Sequence, residues 1–210
     1  MRRLLTAASL LLIAAAALPA AHLNLARAES DKLAAPTIAD SGLHQQPWFA
    51  DTFLDLSDDL AEAEAEGKKL IVFVEQASCP YCRALHEVNL RDAETVAYLK
   101  ANYMAVQLDL RGAREVTDFD GTAMPERDLV RRWKILYTPT VLLFDPKAGK
   151  SEGTGEQRAA AIMPGYFKPF HFRTMLEFVA DGHYDSVHFQ DYVNERAKRL
   201  RAEGKDVVIW

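Results

Sequence analysis

The sequence predicts an α/β fold in which a central mixed β-sheet is flanked by helices, with one helix before the sheet and a helical extension after it. Two patterns support this fold class. An apolar run at residues 69–74, a helical pattern and a second strand pattern at 103–110 are typical of a parallel βαβ unit. Strand patterns at 139–144 and 157–163, followed by another helical pattern, indicate an antiparallel half.

The part of the chain before the sheet divides into a polar stretch and an amphipathic one. Residues 29–47 are polar and mixed and contain Pro36 and Pro47, so we expect a flexible tether. Apolar residues recur at helical spacing over residues 48–66, which predicts the first helix, and Gly67 is a typical helix end.

Polar residues mark the boundaries of the later elements. Asp92 is the predicted N-cap of a helix over 93–101, in which Val96 and Leu99 face the core. Residues 111–124 are polar and predict a solvated loop. The spacing of the acidic residues in this loop does not match that of a calcium-binding EF-hand loop. The remaining predicted elements are helices at 125–133, 168–180 and 186–203 and a hairpin turn at 147–157.

The first 28 residues have the three parts of a secretory signal peptide. Arg2 and Arg3 give a positive start, residues 4–18 are apolar or small, and Ala26-Arg27-Ala28 is a typical cleavage site. The apolar stretch is short for a membrane span, and an uncleaved anchor is the alternative. We expect a periplasmic mature protein that begins at Glu29 and has no stable membrane insertion.

Charge and length limit the kinds of partner and the number of domains. The chain has a formal net charge of −5, and loss of residues 1–28 removes three arginines and no acids, which makes the net charge −8. No Lys/Arg-rich tract with interleaved aromatic residues is present, so nucleic acid is not an expected partner. The rest of the chain suits one domain at 48–184 with a helical extension at 185–210.

The only two cysteines, Cys79 and Cys82, lie between the first buried strand pattern and the helical pattern that follows it. Two intervening residues let one helical turn bring both sulfurs together, and a helix N-terminus favours the thiolate of the first cysteine. Pro80 falls in the first helical turn, where its missing N–H costs nothing. The pattern predicts a pair that exchanges disulfides with other thiols.

Other kinds of site use the same spacing and stay open. A zinc site would need further ligands from among the six histidines, and a copper site could combine the cysteines with His86. A purely structural disulfide would close a loop too short to stabilise the chain much. A c-type haem is excluded, because Arg83 stands where its histidine would follow Cys82.

The stretch 74–82, followed by Tyr137-Thr138-Pro139-Thr140, resembles the thioredoxin superfamily over about residues 48–184. The resemblance implies a thioredoxin-like fold and a cis peptide bond before Pro139, which packs against the active-site disulfide. It also implies that Cys79 attacks a partner's disulfide and that Cys82 resolves the mixed disulfide, with no cofactor or metal beyond this redox-active pair. The residues that it places in substrate binding are Pro80, Tyr81, Thr138 and Pro139.

Two further stretches, at 73–76 and 165–172, are similar to the periplasmic thioredoxins of the SoxW type. This similarity implies a reductase that acts on disulfides of partner proteins and serves the oxidation of sulfur compounds. It implies a membrane thiol-electron transporter as the electron donor. A disulfide oxidase or isomerase and a non-catalytic thiol or copper carrier are the alternatives.

Departures from the thioredoxin pattern surround the cysteines. Ser78 stands where thioredoxin has Trp, and Pro80-Tyr81 is the glutaredoxin choice, which adds a glutaredoxin-like protein to the alternatives. Phe73 occupies the position of thioredoxin's buried acid. Glu75 is the nearest candidate proton acceptor, although we expect its side chain, at the strand end, to face solvent.

Overall fold

The computed structural model describes residues 32–148 and 153–209, within which the strands form one four-stranded sheet and two small hairpins. In chain order the strands are β1 Thr37–Ile38, β2 His44–Gln45, β3 Lys69–Glu75, β4 Tyr103–Asp109, β5 Glu115–Thr117, β6 Ala123–Pro125, β7 Thr140–Phe144 and β8 Ala161–Pro164. The sheet order is β4-β3-β7-β8, with β3 and β4 parallel and the other two neighbouring pairs antiparallel. This arrangement confirms the predicted α/β fold with a central mixed sheet.

Helices pack on both faces of the sheet, which is why the central strand β3 is apolar from Leu70 to Val74. Its residues Leu70, Val72 and Val74 join one buried cluster, and Ile71 and Phe73 join another on the opposite face. The helices are α1 Leu56–Ala65, α2 Pro80–Val88, α3 Ala93–Asn102, α4 Glu126–Arg132, α5 Gly155–Arg158, α6 Pro169–Ala180 and α7 Phe189–Ala202. The first cluster includes side chains of α1 and α4, and the second includes side chains of α2, α3 and α6.

The first helix is shorter than the periodicity predicted. It begins at Leu56, because the Asp55 side chain caps it by accepting hydrogen bonds from the backbone N–H groups of Ser57 and Asp58. Leu54 just before the cap has a φ of 58°, which no helix tolerates. The aromatic residues of 48–53 therefore do not share the helical face of α1, and Phe53 is fully exposed. Gly67 follows the helix with a φ of 72°, as predicted for its end.

The stretch that we expected to be a tether contains ordered structure. Strands β1 and β2 pair as an antiparallel hairpin, and Leu43 and Gln46 are buried beneath it. The polar composition did not predict this hairpin, because Leu43 and Gln46 are the only side chains of the described part of the stretch that are buried. Residues 29–31 of the expected tether, like the predicted signal peptide, lie outside the described residues.

The solvated loop predicted at 111–124 is also more structured than expected. It contains the β5–β6 hairpin, and Asp118 within it is fully buried. The Asp118 carboxylate accepts hydrogen bonds from the backbone N–H of Phe119 and Gly155 and from the indole N–H of Trp133. The expectation of solvation is therefore wrong for Asp118, which joins this hairpin to the start of α5.

The strand expected from Gln157 begins later. Residues Gly155–Arg158 form the short helix α5, in which Thr154 and Gln157 make a reciprocal capping box, and β8 starts at Ala161. Residues 149–152 of the expected hairpin turn lie outside the described residues.

The predicted helical extension corresponds to α7, which packs on α6. Phe189 and Tyr192 of α7 contact Phe178 of α6 edge to face, and Arg196 forms an ion pair with Glu177. Asp92 caps α3 by accepting from the N–H of Thr95, as predicted. None of the helices within the described residues is both long and apolar enough to cross a membrane.

Candidate active site

The cysteine pair lies at the N-terminus of α2, directly after β3. Cys79 is the N-cap residue, Pro80 occupies the first turn, and the two cysteines form a disulfide with their Cα atoms 5.2 Å apart. The backbone N–H of Cys82 points to Cys79 Sγ at 3.1 Å. This N–H and the positive end of the helix dipole both favour a thiolate on Cys79 after reduction. Cys79 is 5% exposed and Cys82 1% exposed, so Cys79 is the more accessible of the two.

The Thr138–Pro139 segment lies against the disulfide. The peptide bond between these residues is cis, as the resemblance implied. Cys79 Sγ lies 3.5 Å from both the carbonyl oxygen and Oγ1 of Thr138. The two segments meet because β7 starts at Thr140 and pairs antiparallel with the end of β3 at Val74.

A groove of about 600 Å³ opens beside the disulfide, and no charged side chain among the described residues lines it. Three of its apolar side chains are strongly exposed: Tyr81 at 64%, Leu136 at 79% and Tyr137 at 64%. We call Tyr81, Leu136 and Tyr137 the apolar rim. The sequence reasoning placed Tyr81 in the site but missed Leu136 and Tyr137 as site residues. Their signal is two large apolar residues directly before Thr138-Pro139 and outside any predicted strand.

We expected the Glu75 side chain to face solvent, but it is buried. Its side chain is 1% exposed, because the last residue of β3 lies beneath α2 and the N-terminal hairpin. Glu75 Oε2 accepts hydrogen bonds from His86 Nε2 at 2.9 Å and from the side-chain amide of Gln107. Its other oxygen, Oε1, has no hydrogen-bond partner among the described residues. A buried, half-satisfied carboxylate costs free energy and is typical of functional sites.

His86 is fully buried one turn after Cys82 and is satisfied on both ring nitrogens. Nε2 contacts Glu75, and Nδ1 lies 3.3 Å from the side-chain nitrogen of Gln46. The ring of His44 lies 5.6 Å away. Burial and the neighbouring His86 lower the pKa of His44 below its usual value, so this half-buried ring favours its neutral form. Sequence reasoning could not find Gln46 or Gln107, since neither belongs to a recognisable motif.

Within the described residues, no group of three or more His, Cys, Asp or Glu side chains is arranged to hold a metal ion.

The sequence profile of the thioredoxin-like domain matches residues 56–180, more than half of the chain. The chain belongs to the thioredoxin-like domain family. Its fold and its disulfide at the start of α2 fit a thiol–disulfide oxidoreductase in general. The matched range leaves out the N-terminal hairpin and α7.

Solved structures with the same fold share little sequence with this chain. A thioredoxin-fold protein from Helicobacter pylori is 19% identical, covers 72% of this chain and 88% of its own, and gives a TM-score of 0.51. A thioredoxin from Thermus thermophilus is 23% identical, covers 60% of this chain and 83% of its own, and gives a TM-score of 0.45. A DsbH oxidoreductase is 12% identical, covers 73% of this chain and 96% of its own, and gives a TM-score of 0.40. No curated protein matches the sequence.

Proposed function

We propose that this protein is a periplasmic thiol–disulfide oxidoreductase that reduces disulfides of partner proteins through Cys79 and Cys82. The observation that carries the proposal is the disulfide at a helix N-terminus, which lies against Thr138 and opens into a groove lined by uncharged residues. Because a purely structural disulfide needs no such opening, this geometry favours exchange with another chain.

The chemistry divides between the two sulfurs. In the reduced protein the Cys79 thiolate attacks one sulfur of a partner's disulfide, and the partner's other sulfur leaves as a thiolate. Cys82 then loses its proton and attacks Cys79, which releases the reduced partner and restores the Cys79–Cys82 disulfide. The buried carboxylate of Glu75 is the proposed acceptor for the proton that Cys82 loses.

The groove suits an extended partner segment. Thr138 lies beside Cys79, and the next residue, Pro139, has no N–H, so strand-like pairing with the partner would use neighbouring backbone groups. Pro80 and the apolar rim would contact the side chains that flank the partner's cysteine. Since no charged side chain lines the groove, those flanking side chains are expected to be uncharged.

The proposed direction is reduction. Strong oxidants stabilise their thiolate heavily, often with a polar residue between the cysteines, and Tyr81 offers less of this than histidine would. We expect a potential nearer the glutaredoxins' range of about −200 to −230 mV than the strong oxidants' value of about −120 mV. Similarity to the SoxW type supports a membrane thiol-electron transporter as the donor and a role in sulfur-compound oxidation.

Trapping in cells tests these proposals together. The Cys82→Ser protein, exported and isolated under acid quench, should carry partners disulfide-bonded to Cys79, and wild-type protein should be found reduced. Mass spectrometry should show a chain that starts at Glu29. An oxidised pair in cells with a potential near −120 mV would support an oxidase instead.

A further inference from the structure

The Glu75–His86 pair is closed off by a part of the chain that the thioredoxin-like domain match does not include. Gln46, directly after β2, is buried and lies against His86. The carbonyl oxygen of His44 accepts a hydrogen bond from Gln107, which also donates to Glu75. The N-terminal hairpin thus completes a cluster of four side chains: Gln46, Glu75, His86 and Gln107.

Hydrogen-bond polarity assigns the state of this cluster when the disulfide is formed. The Gln46 amide N–H donates to His86 Nδ1, so the ring proton sits on Nε2 and is donated to Glu75. His86 is then neutral and Glu75 is a carboxylate that accepts two hydrogen bonds on Oε2. If His86 gains a proton, Nδ1 becomes a donor, and the Gln46 amide can rotate so that its oxygen accepts the hydrogen bond. A glutamine can therefore hydrogen-bond to neutral and to protonated His86, whereas an apolar residue could do neither.

Gln46 and Gln107 line a second groove of about 830 Å³, between the N-terminal hairpin and the loop after β4. The charged side chains at this groove are Asp40, Asp51, Asp109, Arg111, Arg114 and Glu126.

His86 lies close enough to Cys79 for their charges to interact. It follows Cys82 by four residues, so both are on one face of α2, and it follows Cys79 by seven. Seven residues of helix rise roughly 10 Å. At that separation inside a protein, opposite unit charges favour each other by about tenfold in a protonation equilibrium.

We propose that His86 takes up a proton when the disulfide is reduced, and that Gln46 is a positioning residue that permits this. The dithiol of the electron donor gives two electrons and two protons: the Cys79–Cys82 bond breaks, Cys82 keeps one proton as a thiol, Cys79 remains a thiolate, and His86 holds the second proton. The donor becomes a disulfide. The imidazolium then balances both the Glu75 carboxylate and the Cys79 thiolate. This inference rests on the proposed thiol–disulfide exchange.

The other ionisable groups around His86 are not themselves oxidised or reduced. Glu75 faces it from β3 and His44 from the hairpin, and Arg83 and Glu87 lie on α2 itself. Arg83 and Glu87 pair with each other at the surface. The Cys79 sulfur is therefore the group near His86 whose charge changes with redox state.

Nuclear magnetic resonance of the full chain without residues 1–28, labelled with ¹⁵N, tests the proton uptake directly. Ring-nitrogen shifts of His86, assigned with His86→Gln, would be followed from pH 5 to 8 in the oxidised and the reduced protein. We expect the ratio of protonated to neutral His86 to be about tenfold larger in the reduced protein at the same pH. Equal ratios in both redox states would overturn the proposal.

Matched glutamine variants test the role of Gln46. In Gln46→Met, the Nδ1–H of protonated His86 has no acceptor, so His86 is less able to hold its proton and to stabilise the Cys79 thiolate. Because iodoacetamide reacts with the thiolate, alkylation of reduced Cys79 at pH 6 should slow about three- to tenfold. Gln46→Glu should restore or exceed the wild-type rate, and Gln45→Met, on the neighbouring exposed residue, should leave the pH profile unchanged. Identical profiles for both methionine variants would refute the positioning role, and the wild-type resonance measurement decides the proton uptake even if Gln46→Met fails to fold.

The outcomes separate this inference from the proposed function. If wild-type protein reduces protein disulfides but the protonation of His86 is the same in both redox states, only the inference fails. If the protonation of His86 changes with redox state but no protein disulfide is reduced, only the proposed function fails.

Discussion

Two regions flank the first turn of α2, and they differ in almost every physical respect. The groove beside Cys79 is open, uncharged and lined by exposed apolar side chains. The Glu75–His86 cluster on the other side is closed, charged and hydrogen-bonded. An open apolar surface is suited to binding another chain, whereas a closed polar cluster is suited to setting protonation. The disulfide lies where both can act on it.

The largest effects should come from the sulfurs themselves. Cys79→Ser should abolish disulfide reduction, because no nucleophile is left to attack the partner. Cys82→Ser should retain the attack and accumulate mixed disulfides, because the resolving thiol is missing. An insulin-reduction assay and non-reducing gels of both variants measure this. Trapping by Cys79→Ser but not by Cys82→Ser would reverse the assigned roles.

Removing the apolar rim should weaken binding without touching the chemistry. The double variant Leu136→Ala/Tyr137→Ala should lower kcat/KM for a protein disulfide about five- to tenfold, since two exposed apolar contacts contribute on the order of 1 kcal/mol together. The rate with a small aromatic disulfide should stay within about twofold. Val208→Ala, an equally exposed apolar residue outside the groove, is the control. An equal loss with both substrates would mean that the rim supports the disulfide rather than the partner.

The buried carboxylate of Asp118 offers a structural contrast to Glu75, since its hydrogen bonds only hold loops together. Asp118→Ala should lower the free energy of unfolding by about 2–3 kcal/mol, because buried N–H groups of Trp133 and Gly155 lose their acceptor. Thiol–disulfide activity at 25 °C should be unchanged. Asp120→Ala, in a surface ion pair with Arg132, should cost little by comparison. Urea unfolding measures both, and equal costs would contradict the structural role of Asp118.

The smaller of the two expected effects on stability concerns Asp59, a buried acid without the basic partner that Glu75 has. Burial raises the pKa of Asp59 to about 6, against its ordinary 3.8. The native state therefore holds this proton more tightly than the unfolded chain, so the contribution of Asp59 to stability is full below about pH 4 and is lost as the pH rises through about 6. Asp59→Asn should remove this fall and be more stable than wild type at pH 7 by about 1–2 kcal/mol.

Urea unfolding at pH 4 and pH 7 measures this difference between Asp59→Asn and wild type. The variant retains an oxygen to accept the hydrogen bond from Thr52. Asp58→Asn, an exposed neighbour in the first turn of α1, should not gain stability at either pH. A constant difference between Asp59→Asn and wild type at both pH values would show that Asp59 is not the titrating group.

Sequence reasoning succeeded where one local pattern was sufficient. The continuous apolar run predicted β3, Cys79 and Pro80 marked the start of α2, and Asp92 marked the start of α3. It failed where a side chain's partners lie far along the chain. Helical spacing at 48–55 was misleading because aromatic residues there pack outside α1, and Asp118 looked solvated because its partners are Trp133 and Gly155.

The sequence by itself determined the order of the four sheet strands and of the longer helices, the position of the cysteine pair at a strand–helix junction and the family. These follow from short-range periodicity, capping and spacing, which a linear chain displays directly. Only the tertiary structure decided that Glu75 is buried, that His86 and Gln46 lie against one another, and that Leu136 and Tyr137 rim the groove. Burial and hydrogen-bond partnership depend on which distant segments come together. Gln46 and His86, 40 residues apart, meet only when the hairpin folds over α2.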